Sequence, residues 1–136
     1  MYQVTKMISF SYGHRLLNYD GKCKYLHGHN GIAEITLETE KLDERGIAVD
    51  FSEIKNVVGK FIWENMDHKM LLKKGDPVIE QLKKINEPYY LMEESPTAEN
   101  IAKMIFNFTK EKGFPVISVK LWETESSFAI YSEVRK

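Results

Sequence analysis

The chain has 136 residues, 19 Lys+Arg against 20 Asp+Glu, a formal net charge of −1 and a hydrophobic fraction of 43%. That length suits one hydrophobic core rather than two, the apolar content excludes a disordered chain, and near-neutrality argues against a nucleic-acid binder that works through a basic surface. No apolar run approaches the roughly 20 residues that span a bilayer, the first residues lack the pattern of a signal peptide, and a single cysteine allows no internal disulfide, so the expected setting is the reducing cytoplasm.

The first predicted element is a strand. Tyr2, Val4, Ile8 and Phe10 alternate with Gln3, Thr5 and Ser9, with Lys6 and Met7 as exceptions. Asn18-Tyr19-Asp20-Gly21-Lys22 reads as a loop. A second alternation begins at His27 and puts His27, His29, Ala33, Ile35 and Leu37 on one face, opposite Asn30, Glu34, Thr36 and Glu38. After the loop Lys41–Gly46 the period changes. Phe51, Ile54, Val57, Val58, Phe61, Ile62 and Met66 recur at three and four residues, which predicts an amphipathic helix capped by Asp50 or Ser52.

Residues 71–94 read as an insert, in which Asp76-Pro77 opens a short helix through Leu82 and Ile85, and Tyr89–Met92 form a short strand. Pro96-Thr97 start a second long helix with Ile101, Met104, Ile105 and Phe108 as its stripe and Gly113 near its stop. Strands over Val116–Glu123 and Phe128–Val134 finish the chain. The order ββααββ, with the insert between the helices, predicts one α+β domain over residues 1–136: an antiparallel four-stranded sheet with two helices on one face. Its free edges must be covered, charged or paired with another subunit.

Histidine is the informative residue type. His27 and His29 leave one face of a strand side by side, and His14, at the end of the neighbouring strand, can supply a third ligand if the two strands pair as a hairpin. Three neutral imidazoles make an open zinc site. Cys23 is either a small buried apolar residue or, beside a dication, a thiolate able to move a proton. Asp67-His68 is a polar pair at a helix end or a carboxylate orienting an imidazole. Glu123 continues the apolar face of Ile117, Val119 and Leu121, so it either emerges at a rim or accepts hydrogen bonds from a ligand. Pro96–Asn100 reads first as a plain helix start, whose free N–H groups can also meet an anion.

Taken in order, Phe10-Ser11-x-x-His14-Arg15-Leu16, Cys23-x3-His27-Gly28-His29-Asn30, Val49-Asp50-Phe51, Asp67-His68, Pro96-Thr97-Ala98-Glu99-Asn100 and Glu123-Thr124 resemble the 6-pyruvoyl-tetrahydropterin synthase superfamily. The likeness covers nearly the whole chain and is closest to its 6-carboxy-tetrahydropterin synthase branch of the queuosine pathway, because three residues separate Cys23 from His27. The resemblance implies the tunnelling fold, with subunits joined edge to edge into trimers that stack as hexamers. It implies zinc held by His14, His27 and His29, catalysis by Cys23 with the Asp67–His68 dyad, and a pterin triphosphate substrate anchored by Glu123, with Thr97 also in contact.

The implied reaction turns 7,8-dihydroneopterin triphosphate into the 6-carboxy product with loss of acetaldehyde and triphosphate, without an organic cofactor. The alternatives are a 6-pyruvoyl synthase or related dihydroneopterin-phosphate lyase, a zinc-hydroxide hydrolase, and a non-catalytic pterin- or metal-binding homologue. Two departures stand out. Tyr12-Gly13 replaces a usually small residue and can reshape the zinc-pocket wall, and Leu72–Glu94 is longer than in the shortest members, as a peripheral elaboration or a substrate lid.

Overall fold

The alternation that starts at Tyr2 runs on to His14, and the one that starts at His27 runs to Thr39, so the first two strands are long enough to dominate the sheet. The computed structural model describes residues 1–133, so Val134, expected at the end of the last strand, lies outside the described residues. The strands are β1 (Tyr2–His14), β2 (His27–Thr39), β3 (Lys69–Lys73), β4 (Tyr89–Met92), β5 (Val116–Thr124) and β6 (Ser127–Ser132). They form one sheet in the order β4-β3-β1-β2-β5-β6. β1, β2, β5 and β6 pair antiparallel in sequence-distant and hairpin steps, whereas β3 runs parallel to β1 and to β4.

The expected four-stranded antiparallel sheet is therefore corrected to a mixed sheet of six strands. The reason lies in Met70-Leu71-Leu72. Leu71 and Leu72 are both fully buried, and neighbouring residues of a strand point to opposite faces, so this short strand is covered on both sides. A strand buried on both faces reads as a plain apolar run rather than as an alternation.

Three helices accompany the sheet among the described residues. Helix α1 (residues 51–65) is a single rod made of α-helical Phe51–Ile54, a π-helical turn Lys55–Gly59 and α-helical Lys60–Asn65. Asp50 caps it by accepting from the Ser52 N–H at 2.9 Å. Ile54, Val58, Ile62 and Met66 are fully buried, while Phe51 stands half exposed and leaves the predicted stripe. Helix α2 (Val78–Lys84) connects β3 to β4. Helix α3 (Ala98–Glu111) is capped by Thr97 and buries Ile101, Ala102, Ile105, Phe106 and Thr109. It stops where Gly113 takes φ +90° and the Phe114 N–H reaches the Thr109 carbonyl at 3.3 Å.

Helices α1 and α3 pack on the face that carries Ile8, Phe10, Ala33, Ile35, Leu37, Val119 and Leu121. Helix α2 forms a separate small core, Leu72 with Ile79 and Leu82. Because Leu71 joins the main core and Leu72 the small one, α2 covers the opposite face: the two expected helices do share one face, and a third helix is added on the other. The segment 71–94 is thus woven into the sheet. Among the described residues no helix is long and apolar enough to cross a membrane.

One buried ion pair ties this segment to the end of β1. Arg15 grips Asp76 with a fork, Nε to Oδ2 at 2.9 Å and Nη2 to Oδ1, and the Asp76 side chain is 1% exposed. Burial alone would push that carboxyl up, but the Arg15 hydrogen bond, the Val78 N–H and the guanidinium charge outweigh it and hold the group below its usual range. With a folded pKa lower than the unfolded value of about 3.9, the pair's stabilisation is complete above about pH 4 and is lost as pH falls through the lowered value. Urea unfolding from about pH 5 to about pH 2 should show that decline, and Asp76→Asn should flatten it. An unchanged slope in the variant would assign the acid sensitivity to other carboxylates.

Candidate metal centre and its surroundings

The hairpin register decides where the histidines meet. β1 and β2 pair with His14 opposite His27, Gly13 opposite Gly28 and Tyr12 opposite His29. Directly opposed residues of an antiparallel pair share a face, so the three imidazoles emerge together at one end of the helix-covered side. Their ligand nitrogens all lie within 4.8 Å of one another, and the ring centroids are 4.5, 5.0 and 5.0 Å apart.

Two backbone carbonyls fix the tautomers. His14 Nδ1 is 2.6 Å from the Pro96 oxygen and His27 Nδ1 is 2.7 Å from the Tyr25 oxygen. Only an N–H can make those contacts, so each Nδ1 carries the hydrogen and each Nε2 presents its lone pair to the cluster. His14 Nε2 lies 3.1 Å from His29 Nε2. Burial is the largest influence on both rings and lowers both pKa values, opposed first by the Pro96 hydrogen bond at His14 and by the Glu123 charge at His29. The rings are therefore held neutral, the form that binds a metal. Three imidazole nitrogens gathered at one point fit a zinc ion with one position left open.

Around this point the side chains divide by role. Glu123, near the end of β5, puts Oε1 3.8 Å from His29 Nε2. Tyr12 is buried and stacks on Phe10 at 5.2 Å, with its ring 5.3 Å from His14 and 5.7 Å from His29. Burial first and the Glu123 charge second push its phenol far above its ordinary pKa, so it stays neutral. Tyr12 thus packs beside two of the imidazoles as a wall of the site. Gly31 makes room for it, since a Cβ there would lie 2.8 Å from the Tyr12 ring.

Asp67 and His68 follow α1 and are pinned to β1 at Ser11. The Ser11 N–H donates to Asp67 Oδ1 at 2.8 Å, and the His68 N–H donates to the Ser11 carbonyl at 2.6 Å. This bracing holds His68 at φ +61°, a left-handed conformation that a residue of this type takes at a cost. Asp67 Oδ1 sits 3.0 Å from His68 Nδ1, and the His68 side chain is 80% exposed. His68 shares a cleft of about 610 Å³ with His27 and His29, walled by Met70, Leu82 and Pro88.

Cys23 lies on a single 3₁₀ turn, Lys22–Lys24, whose Cys23 carbonyl accepts from the Leu16 N–H at 2.8 Å. Its thiol is half-buried and is not among the groups that line that cleft. The Thr97 hydroxyl accepts from the Asn100 N–H at 3.1 Å, which gives it the capping part of the helix-start reading. Sequence reasoning missed the Pro96 and Tyr25 carbonyls, which no residue type announces, and the cleft wall from Met70, Leu82 and Pro88.

Comparison with known proteins follows the same outline. A family model described as 6-pyruvoyl tetrahydropterin synthase matches residues 3–134. A Rickettsia typhi protein named 6-carboxy-5,6,7,8-tetrahydropterin synthase is 39% identical over 135 residues, covering 94% of this chain and 98% of its own. A Haemophilus influenzae protein of the same name is 32% identical over 141 residues, covering 98% of this chain and 100% of its own. Among solved structures, the 6-pyruvoyl tetrahydropterin synthase of Caenorhabditis elegans superposes with a TM-score of 0.73 at 22% identity, over 98% of this chain and 96% of its own, a likeness of fold.

Proposed function

The chain belongs to the 6-pyruvoyl tetrahydropterin synthase family, and from that premise we propose that it is a zinc-dependent lyase of queuosine-type biosynthesis. It would convert 7,8-dihydroneopterin triphosphate to 6-carboxy-5,6,7,8-tetrahydropterin, releasing acetaldehyde and triphosphate. The observation that carries the reading is the convergence of three imidazoles on one point, with Glu123 beside them, in a chain whose full-length relatives bear the 6-carboxy name.

His14, His27 and His29 would hold zinc through Nε2, and the bound ion would supply Lewis acidity toward the side-chain hydroxyls of the substrate. Glu123 would accept hydrogen bonds from the amino and ring N–H groups of the pterin, a charge-assisted contact that fixes the ring. Tyr12 packs against His14 and His29 on the inner side of the site. The Thr97 oxygen accepts from Asn100 and retains its own O–H to donate to the substrate. Cys23 as thiolate would take a proton from a side-chain carbon. His68, held through Nδ1 by Asp67, would carry protons on Nε2.

Among the described residues the sheet ends in two edge strands, β4 and β6. Association through those edges into a homo-oligomer, a hexamer built of two trimers, would satisfy their unpaired backbone groups. It would also cover His68, which stands exposed in the single chain. A cytoplasmic location accords with the single cysteine.

Incubating the metal-loaded protein with dihydroneopterin triphosphate and identifying the products tests the reading. The 6-carboxy pterin with acetaldehyde is the expected result. Retention of all three side-chain carbons would give the 6-pyruvoyl reaction instead, and tight binding without turnover a non-catalytic homologue. In the same assay Glu123→Gln should raise KM by about 10- to 100-fold with kcat largely kept, since hydrogen bonds to a charged group are worth roughly 1.5–3 kcal/mol. An unchanged KM would remove Glu123 from the pterin contact.

A further inference from the structure

The three residues that end β1 and leave it are each tied to a different part of the chain. His14 Nδ1 is bonded to the Pro96 carbonyl before α3. Arg15 holds Asp76 between β3 and α2. The Leu16 N–H donates to the carbonyl of Cys23. The middle tie is the expensive one. Asp76 is 3% exposed, and a nearly buried carboxylate carries a large desolvation penalty unless its lone pairs are filled.

Here they are filled. Oδ2 takes Arg15 Nε at 2.9 Å, and Oδ1 takes Arg15 Nη2 and the Val78 N–H, the latter at 2.8 Å. The Asp76 backbone is also engaged on both sides, its N–H donating to the Lys73 carbonyl at 3.0 Å and its carbonyl accepting from the Ile79 N–H at 3.1 Å. A turn and a helix start need only a short polar residue, and Asn or Ser would serve. The charge is required by Arg15 alone. A planar guanidinium held in a bidentate fork has one orientation, and it tethers the residue that follows His14 to the loop before α2.

We propose that Asp76, acting through Arg15, is a positioning residue for the metal ligand His14 and for the turn that carries Cys23. This rests on the reading of His14, His27 and His29 as a metal centre. It gives the segment 71–94 a role in the chemistry. The loop that begins α2 is tied through this pair to the residue that follows His14 at the end of β1. Imidazole donors must sit within about 0.5 Å of their productive place, and loss of a supporting partner around a metal ligand lowers affinity by about 10- to 100-fold.

The test is a cobalt(II) titration of the full-length metal-free protein, followed by visible absorption, on the unsubstituted protein, Asp76→Asn, Arg15→Lys and His27→Ala. Thermal unfolding of each metal-free protein is recorded alongside. Asp76→Asn and Arg15→Lys should each weaken cobalt binding by about 10- to 100-fold, and the double variant should bind no worse than the weaker single one. Iodoacetamide should alkylate Cys23 severalfold faster in both. Arg15→Lys keeps charge and stem, so it reports even where Asp76→Asn folds poorly. A lowered unfolding temperature with cobalt affinity unchanged within about twofold makes the pair merely structural and overturns the inference. Absence of binding by the unsubstituted protein, or equal binding by His27→Ala, overturns the metal reading itself, an outcome separable from the first.

Discussion

Replacing His27 by alanine is expected to lower zinc affinity by about two to three orders of magnitude and to abolish turnover, while the metal-free protein unfolds at nearly the same temperature. The magnitude follows from sharing roughly 10–16 kcal/mol of structural zinc binding over four protein ligands, about 2.5–4 kcal/mol for each. His27 is a cleaner choice than His14. It is half-buried at the start of β2, and its Nδ1–H is spent on the Tyr25 carbonyl of the adjoining loop, so truncation strands only a carbonyl that water can reach. His14 is 2% exposed, and its loss would leave the Pro96 carbonyl without its partner and a void between β1 and α3, mixing metal loss with unfolding. Metal content after exhaustive dialysis, read by mass spectrometry, decides the matter. Full occupancy in the variant would show that His27 is no ligand.

What made this site legible in the sequence was the strictness of the period-two pattern. His27 and His29 continue the face of Ala33, Ile35 and Leu37 without a break, and pairing β1 with β2 as a hairpin leaves little freedom for His14. The helix starts at Asp50 and Thr97 were legible for a similar reason, since each side chain caps its own helix within three residues and the contact is local. Contacts that close over long stretches of chain were not legible. Arg15 and Asp76 are 61 positions apart, and nothing in either residue type names the other. β3 was hidden because both of its faces are covered, which erases alternation, and the missing strand carried the parallel pairings and the position of α2 with it. The orienting carbonyls of Pro96 and Tyr25 were hidden because every residue has one. Sequence thus exposes side chains with unusual chemistry and exposes periodicity. It is nearly silent about the backbone groups that hold those side chains in place.

Cys23→Ala should keep the metal at full occupancy and lower kcat by about 10²- to 10⁴-fold, the usual scale for removal of a proton-transfer group. Metal retention is expected because the three imidazoles meet without the thiol, and the turn that carries Cys23 is held by its backbone, through the Leu16 N–H and the i→i+3 bond from Tyr25 N–H to the Lys22 carbonyl at 3.0 Å. Alanine preserves both bonds. The variant therefore separates the thiol from its loop, which a deletion would not. His68→Gln supplies the comparison. It removes proton transfer at an exposed ring and leaves the Ser11 bracing of the backbone in place, so its kcat should also fall with metal unchanged. If both groups act in one proton-transfer sequence, the double variant should be little slower than the slower single one, because residues that act as a unit lose their contribution together. If they act independently, the losses should multiply. Near-normal kcat for Cys23→Ala, with metal content and unfolding temperature unchanged, would leave the thiol a bystander and put the full burden of proton movement on the Asp67–His68 pair.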